Sequence, residues 1–296
     1  MRLFTCHKFR ILVSVPALVL AGVLSSSCRS LVLEDRSLCP TWVELKSVPS
    51  IDPEKWGYMK LSLWKDWEED DEKIVRMDDL NTGEKFEWRK EHLFEVTGIT
   101  GWDGIIEGNG DYLIPFGNEC PDAIGGYTRE QIGGEEIYHV DLPVRSLFAN
   151  VFVEIEGAAS GYPFKVSLRG AVDGYSFPYL HLHEGSFQCE TRELSYEMRA
   201  CRIPRQDEPS NATKAVYVAG LKADFFFREQ GSSVWERFYS LPLGEIITMN
   251  GYDWSEPVLE DIHVKVRLAD GAIVRLVVEV ADWSVVVIGD DGHYVI

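Results

Sequence analysis

The chain has 296 residues, of which 29 are Lys or Arg and 48 are Asp or Glu, for a formal net charge of −19. That balance excludes a nucleic-acid surface, which needs clustered Lys and Arg, and a polybasic grip on anionic lipid. A hydrophobic content of 45% supports real cores, and the length suits two domains of ordinary size.

The first ten residues carry Arg2, Lys8 and Arg10 and no acid. Residues 11–24 are apolar apart from Ser14, with Pro16 inside the run, and Ser25–Ser26–Ser27–Cys28 follows. A basic start, a short apolar run and small residues make a secretory signal. A permanent span would need about 20 apolar residues. A cysteine in this place is where a bacterial lipoprotein is cut and acylated. Residues 1–27 are therefore expected to be a lipoprotein signal peptide and Cys28 the lipidation site. An ordinary secretory peptide with an incidental cysteine is the alternative, because Ser25 stands where lipoprotein signals usually place Leu. Cleavage would remove only basic charge, so the membrane link would be the lipid and not the protein surface.

Residues 29–36 read as a tether. Thr41–Leu45 and Tyr58–Trp64 alternate like strands. The acidic run Asp66–Glu72 lacks the spaced ligands and glycine turn of a calcium loop and reads as a solvated loop. Asn81–Thr82–Gly83 is a turn before a short strand around Phe86–Trp88. Glycines at 98, 101, 104, 108 and 110 mark loop material. Asp111–Asn118 is a strand running into a turn, and Gly125, Gly126, Gly133 and Gly134 mark a long loop region.

From Tyr138 onward the alternation is cleaner. Val151, Val153 and Ile155 share one face, and Val166–Gly170 and Tyr175–Phe177 follow. Residues 202–214 are polar and turn-rich, as in a surface loop. Strands resume at Val216–Val218 and Ala223–Phe227. Ile262, Val264, Val266 and Leu268 share a face, Asp270–Gly271 is a hairpin turn, and Ile273–Val280, Val285–Ile288 and Tyr294–Ile296 are further strands. A short helix fits Glu91–Phe94 or Leu241–Met249. Strands every 8–12 residues with turn signals between them indicate an all-β chain of β-sandwiches.

The residues offer little for catalysis. There is no nucleophile elbow, no phosphate-binding loop with Lys and no His-Glu-x-x-His, so no enzyme and no cofactor is expected. His181 and His183 would share a strand face but have no clear third metal ligand. The nine tryptophans suit either a sugar-stacking platform or core packing. Asn211–Ala212–Thr213 matches a glycosylation sequon, which in a bacterial lipoprotein is a coincidence. After Cys28, the cysteines Cys39, Cys120, Cys189 and Cys201 remain. They are candidate disulfide cysteines in an exported chain. Cys39 with Cys120 and Cys189 with Cys201 is one pairing suggested by their places in the two halves; four buried thiols is the alternative. Their spacing does not suggest zinc.

Several stretches resemble the FimB-type fimbrial anchor and minor-subunit family of Gram-negative oral and gut anaerobes. They are Ser27–Cys28, then Glu34–Asp35–Arg36–Ser37–Leu38–Cys39–Pro40, then Val43–Glu44–Leu45. Asp111–Asn118 is similar to the family's strand ending in a Gly-Asn turn, and Asp141–Arg145 leading into Val151–Ile155 is similar to the start of its second domain. Arg169–Gly170, Tyr175–Phe177 and Val278–Trp283 resemble its later strands. The resemblance implies two tandem transthyretin-like Greek-key β-sandwich domains, here residues 28–140 with the tether and residues 141–296. It implies an outer-membrane lipoprotein that anchors or terminates a fimbrium. Its partners would be fimbrial shaft or accessory subunits, joined by strand exchange, and the membrane, held through the N-terminal lipid. The alternative function is a surface glycan-binding lipoprotein of a polysaccharide-uptake system.

Overall fold

The computed structural model describes residues 39–65, 68–106, 110–156, 163–191, 199–206, 218–229, 231–249, 251–269, 272–280, 283–288 and 293–295. The signal segment, Cys28, the tether, the sequon and the expected Asp270–Gly271 turn lie outside them. The described chain is all-β, with short helices between strands.

The first sheet is built from β1 (Pro40–Val48), β2 (Tyr58–Lys65), β3 (Glu68–Arg76), β4 (Glu84–Arg89), β5 (Leu93–Thr100), β8 (Ile124–Gln131) and β9 (Ile137–Ser146), in the order β3-β2-β5-β8-β9-β1-β4. β1 runs parallel to β9 and antiparallel to β4. β9 changes partner along its length. Residues 137–143 pair with β1, and residues 144–146 pair with β8. Alternate residues of the strands point into one core, among them Val43, Leu45, Met59, Leu61, Phe94, Val96 and Leu142. Helix α1 (Pro53–Trp56) starts with Asp52 accepting the N–H groups of Glu54 and Lys55. Helix α2 (Met77–Thr82) adds Met77 and Leu80 to that core.

A second core lies between two further sheets. One has the order β13 (Arg199–Pro204), β10 (Phe148–Glu156), β16 (Ile262–Ala269), β17 (Ala272–Val280), β18 (Trp283–Ile288), β19 (His293–Val295). The other has the order β15 (Glu236–Leu241), β14 (Lys222–Phe227), β11 (Phe164–Ser176), β7 (Tyr112–Leu113), β6 (Ile105–Ile106), and β12 (His181–Glu190) also pairs with β11. Val151, Val153, Ile203 and Ile262 from one sheet meet Val166, Leu168, Phe187 and Phe225 from the other. Helix α3 (Leu243–Met249) contributes Leu243, Ile246 and Ile247. β6 and β7 precede β8 in sequence, yet they pair into this second body, and Ile114 and Cys120 join its core.

Several sequence expectations are overturned. The acidic run is not a solvated loop from Glu68 onward. It forms β3, an edge strand paired with β2. Charge is tolerated there because an edge strand exposes much of its surface, and it discourages pairing with other chains. Gly98, Gly125 and Gly126 are not loop residues. Gly98 lies in β5 opposite Gly126 in β8. A Cβ at Gly98 would sit 2.6 Å from Met59 Sδ, and one at Gly126 would sit 2.6 Å from the Pro143 carbonyl oxygen. These glycines serve close packing across strands, not turning. Residues 91–94 hold no helix, since β5 starts at Leu93, whereas α3 forms where expected. Residues 202–206 are not surface loop: β13 runs to Pro204, and Arg205 and Gln206 are fully buried.

Candidate functional site

The features that bear on function are a retained first strand, a joint between the two cores, a seam where the second body closes, and one cavity.

β1 alternates exposed and buried residues, with Thr41, Val43, Leu45 and Ser47 inward. Both of its backbone edges are occupied, by β4 and by β9. Thr41 donates its hydroxyl to the Glu135 carbonyl at 2.7 Å. Ser47 donates to Asn81 Oδ1 at 2.6 Å, and that amide also bridges the Ile51 backbone. The strand is thus part of the core rather than a laid-on edge. At the other end of the chain, β16 to β19 are added one after another, and β19 ends the sheet order.

The joint centres on Arg205. Its guanidinium donates to the carbonyls of Ser146 at 3.0 Å and Glu256 at 2.6 Å, and also to that of Trp254. Tyr175 donates its hydroxyl to the Leu147 carbonyl and accepts the Arg205 N–H. A planar guanidinium with five donors can satisfy several converging carbonyls at once. Around it, Ile99, Ala123, Leu147, Tyr175 and Leu180 form a small apolar cluster between the cores. Burial pushes the Tyr175 hydroxyl well above its usual range.

The seam lies beside the Gly117–Cys120 segment. Gly117 donates its N–H to Gln188 of β12 at 2.9 Å, and Cys120 donates its N–H to Arg202 of β13 at 3.0 Å. Cys39, Cys120, Cys189 and Cys201 are all buried. Cys120, Cys189 and Cys201 share the second core, whereas Cys39 sits just before β1. Burial holds the Cys120 thiol well above its usual value. The sulfurs of Cys189 and Cys201 and a carboxylate oxygen of Glu119 lie within 4.8 Å of one another. Sequence spacing gave no sign of Glu119, because the seam brings it in from a distant segment. The His181–His183 pair is divided: His183 Nδ1 is 2.7 Å from Asp173, while the His181 ring leans toward Tyr179.

A cavity of about 570 Å³ is walled by α3, Val218, Tyr252 and Trp254, with Glu245 and Asp253 also lining it. Gln206 Oε1 and Trp254 Nε1 are buried without a hydrogen-bond partner among the described residues. Both residues line this cavity. The described tryptophans otherwise serve mainly as packing. Trp56 and Trp88 pack on the first core and Trp102 on the second core and the joint, while Trp42 is 47% exposed. No helix among the described residues is long and apolar enough to cross a membrane.

The class these features define is an all-β protein with two cores, whose distinctive surfaces are strand edges and a cavity. No protein-family model matches the sequence, and no curated protein matches it. Solved structures that align with a TM-score above 0.5 share the fold. A candidate polysaccharide-binding protein from Bacteroides thetaiotaomicron aligns with a TM-score of 0.56 at 11% identity, covering 86% of this chain and 100% of that one. A candidate adhesin from Bacteroides ovatus aligns with a TM-score of 0.53 at 12% identity, covering 87% and 95%. The fimbrial anchor protein Mfa2 from Porphyromonas gingivalis aligns with a TM-score of 0.49 at 12% identity, covering 83% and 99%.

Proposed function

We propose that this chain is an outer-membrane lipoprotein that anchors or terminates a fimbrium at the cell surface and contacts shaft or accessory subunits by strand-exchange-type pairing. In this reading residues 1–27 are removed, Cys28 is acylated, and residues 28–140 and 141–296 are two transthyretin-like sandwiches, with β6 and β7 reaching across the division one way and residues 141–146 of β9 the other. No catalysis is assigned to it.

The observation that carries the reading is the position of β1. Strand exchange needs a groove opened by loss of a strand, and a donated strand then supplies backbone hydrogen bonds and alternating side chains. Here β1 fills its own place between β4 and β9. A lipid on Cys28 would be lost with β1 if the chain were cut after it. A lipid-held subunit must therefore keep β1 and meet the fibre elsewhere. The last strands of the β16–β19 series are the natural meeting edge, because β19 ends its sheet order. The fold shared with a candidate adhesin agrees with a surface role.

The test is deletion of residues 289–296 in the native host. Fibres should detach while the lipoprotein stays in the membrane fraction. Normal fibre retention would sink the proposal. The mass of the mature N-terminal peptide, beside a Cys28→Ala variant, tests the anchor separately.

A second reading, a surface glycan-binding lipoprotein, is favoured by the cavity. Tyr252 and Trp254 meet edge to face at 4.8 Å there, beside a buried amide oxygen and indole N–H that have no partner among the described residues. It predicts a tryptophan fluorescence change on adding polysaccharide that Trp254→Phe abolishes. The anchor reading predicts no such change and co-purification with fibre subunits.

A further inference from the structure

We propose that Cys189 and Cys201 are a disulfide-forming pair that locks β12 to β13 across the seam of the second body. Their sulfurs lie within 4.8 Å of each other, and each residue is 1% exposed. They belong to different sheets, since Cys189 pairs with Leu168 of β11 and Cys201 with Val151 of β10. The Gly117–Cys120 segment already ties the two strands by backbone hydrogen bonds, to Gln188 on one side and Arg202 on the other. Once the seam has closed, the same segment holds the two strands together around an S–S bond of about 2.05 Å.

A metal ion fits the same trio less well. A structural zinc site closes four ligands around the ion, and among the described residues Glu119, Cys189 and Cys201 supply three. The Arg202 guanidinium stands 3.8 Å from Glu119 and opposes a dication there. A disulfide is neutral and apolar, and it suits a place this deeply buried.

The bond forms by exchange with a disulfide oxidant, R–S–S–R. The Cys201 thiolate attacks one oxidant sulfur, the oxidant's S–S bond breaks, and one RS⁻ leaves. The Cys189 thiolate then attacks the Cys201 sulfur of the mixed disulfide and expels the second RS⁻. The two cysteine protons end on the two RS⁻ groups, and two electrons pass to the oxidant. Because both sulfurs are buried in the folded chain, the exchange takes place before the seam closes.

The test refolds the chain in oxidised glutathione, denatures it, alkylates without reduction and maps the peptides by mass. The expected result is one peptide pair linked through Cys189 and Cys201, lighter by two hydrogens than the thiol forms, with Cys39 and Cys120 alkylated. Reductant should then lower Tm by about 5–10 °C. Cys189→Ser and Cys201→Ser should each abolish the link and the response to reductant. Alkylation of both cysteines after oxidative refolding would overturn the proposal, as would their linkage to other cysteines. Stoichiometric zinc in the native mass, removed by a chelator, would also overturn it. The wild-type peptide map decides the matter even where a variant fails to fold.

Discussion

The Tyr175 hydroxyl accepts the backbone N–H of Arg205 at 2.9 Å, while the guanidinium of the same arginine holds carbonyls from the end of β9 and from the approach to β16. One tyrosine and one arginine therefore tie together β11, the end of β13, the β9–β10 junction and the residue 254–257 loop. The two cores meet at a polar knot, not at an apolar face alone, and its value depends on every member being paired.

Removing the knot's charged member should be costly. Arg205→Leu leaves two buried carbonyls and one half-buried carbonyl to find other partners, and we expect a loss of about 3–5 kcal/mol in denaturant unfolding. Arg205→Lys should recover only part of this, because a single ammonium cannot match the guanidinium fork. Equal stability of the lysine variant and wild type would show that the fork geometry is unimportant.

Tyr175→Phe removes the hydroxyl from the Leu147 carbonyl and the Arg205 N–H. The expected cost is about 1–3 kcal/mol, measured by urea unfolding at neutral pH.

The same tyrosine sets an alkaline limit. Burial raises the Tyr175 pKa well above 10.0. Tyr127 is also raised, first by burial and then by donating its hydroxyl to Glu95. In the unfolded chain both lose their protons near the usual value, while the folded chain keeps them. Above about pH 10 the unfolded state thus binds fewer protons, so stability falls as pH rises; below that the two groups add no pH dependence. Tyr175→Phe should flatten the fall in a pH 8–11 stability series. An unchanged slope would mean that other groups set it.

The facing glycines give a graded pair of substitutions. Gly98→Ala crowds the thioether end of Met59 and the tips of Leu61 and Leu142, which can shift, for an expected cost of about 1–3 kcal/mol. Gly126→Ala meets the Pro143 carbonyl oxygen, which is backbone, and should cost more. Urea midpoints in the reverse order would contradict the close approach of β8 and β9.

Leu45→Ala probes the retained strand. Leu45 is fully buried in the first core, so truncation should cost about 2–5 kcal/mol. A near-neutral result would mean that β1 packs as a loose edge.

By itself the sequence determined the strand-rich class, through the period-2 alternation seen in Thr41–Leu45, Val151–Ile155 and Ile262–Leu268, and it located α3. Such patterns are readable because one face of each strand must leave water. The tertiary structure alone decided the rest. Gly98 and Gly126 looked like turn residues because a glycine's tight packing partner lies on another strand. Arg205 looked like surface because the carbonyls that satisfy it come from Ser146, Trp254 and Glu256. Glu68–Glu72 looked like loop because an edge strand can carry charge. Glu119 reaches Cys189 and Cys201 only because the chain returns to the seam. Periodicity reports which way a residue faces; it carries no record of which distant segment it will meet.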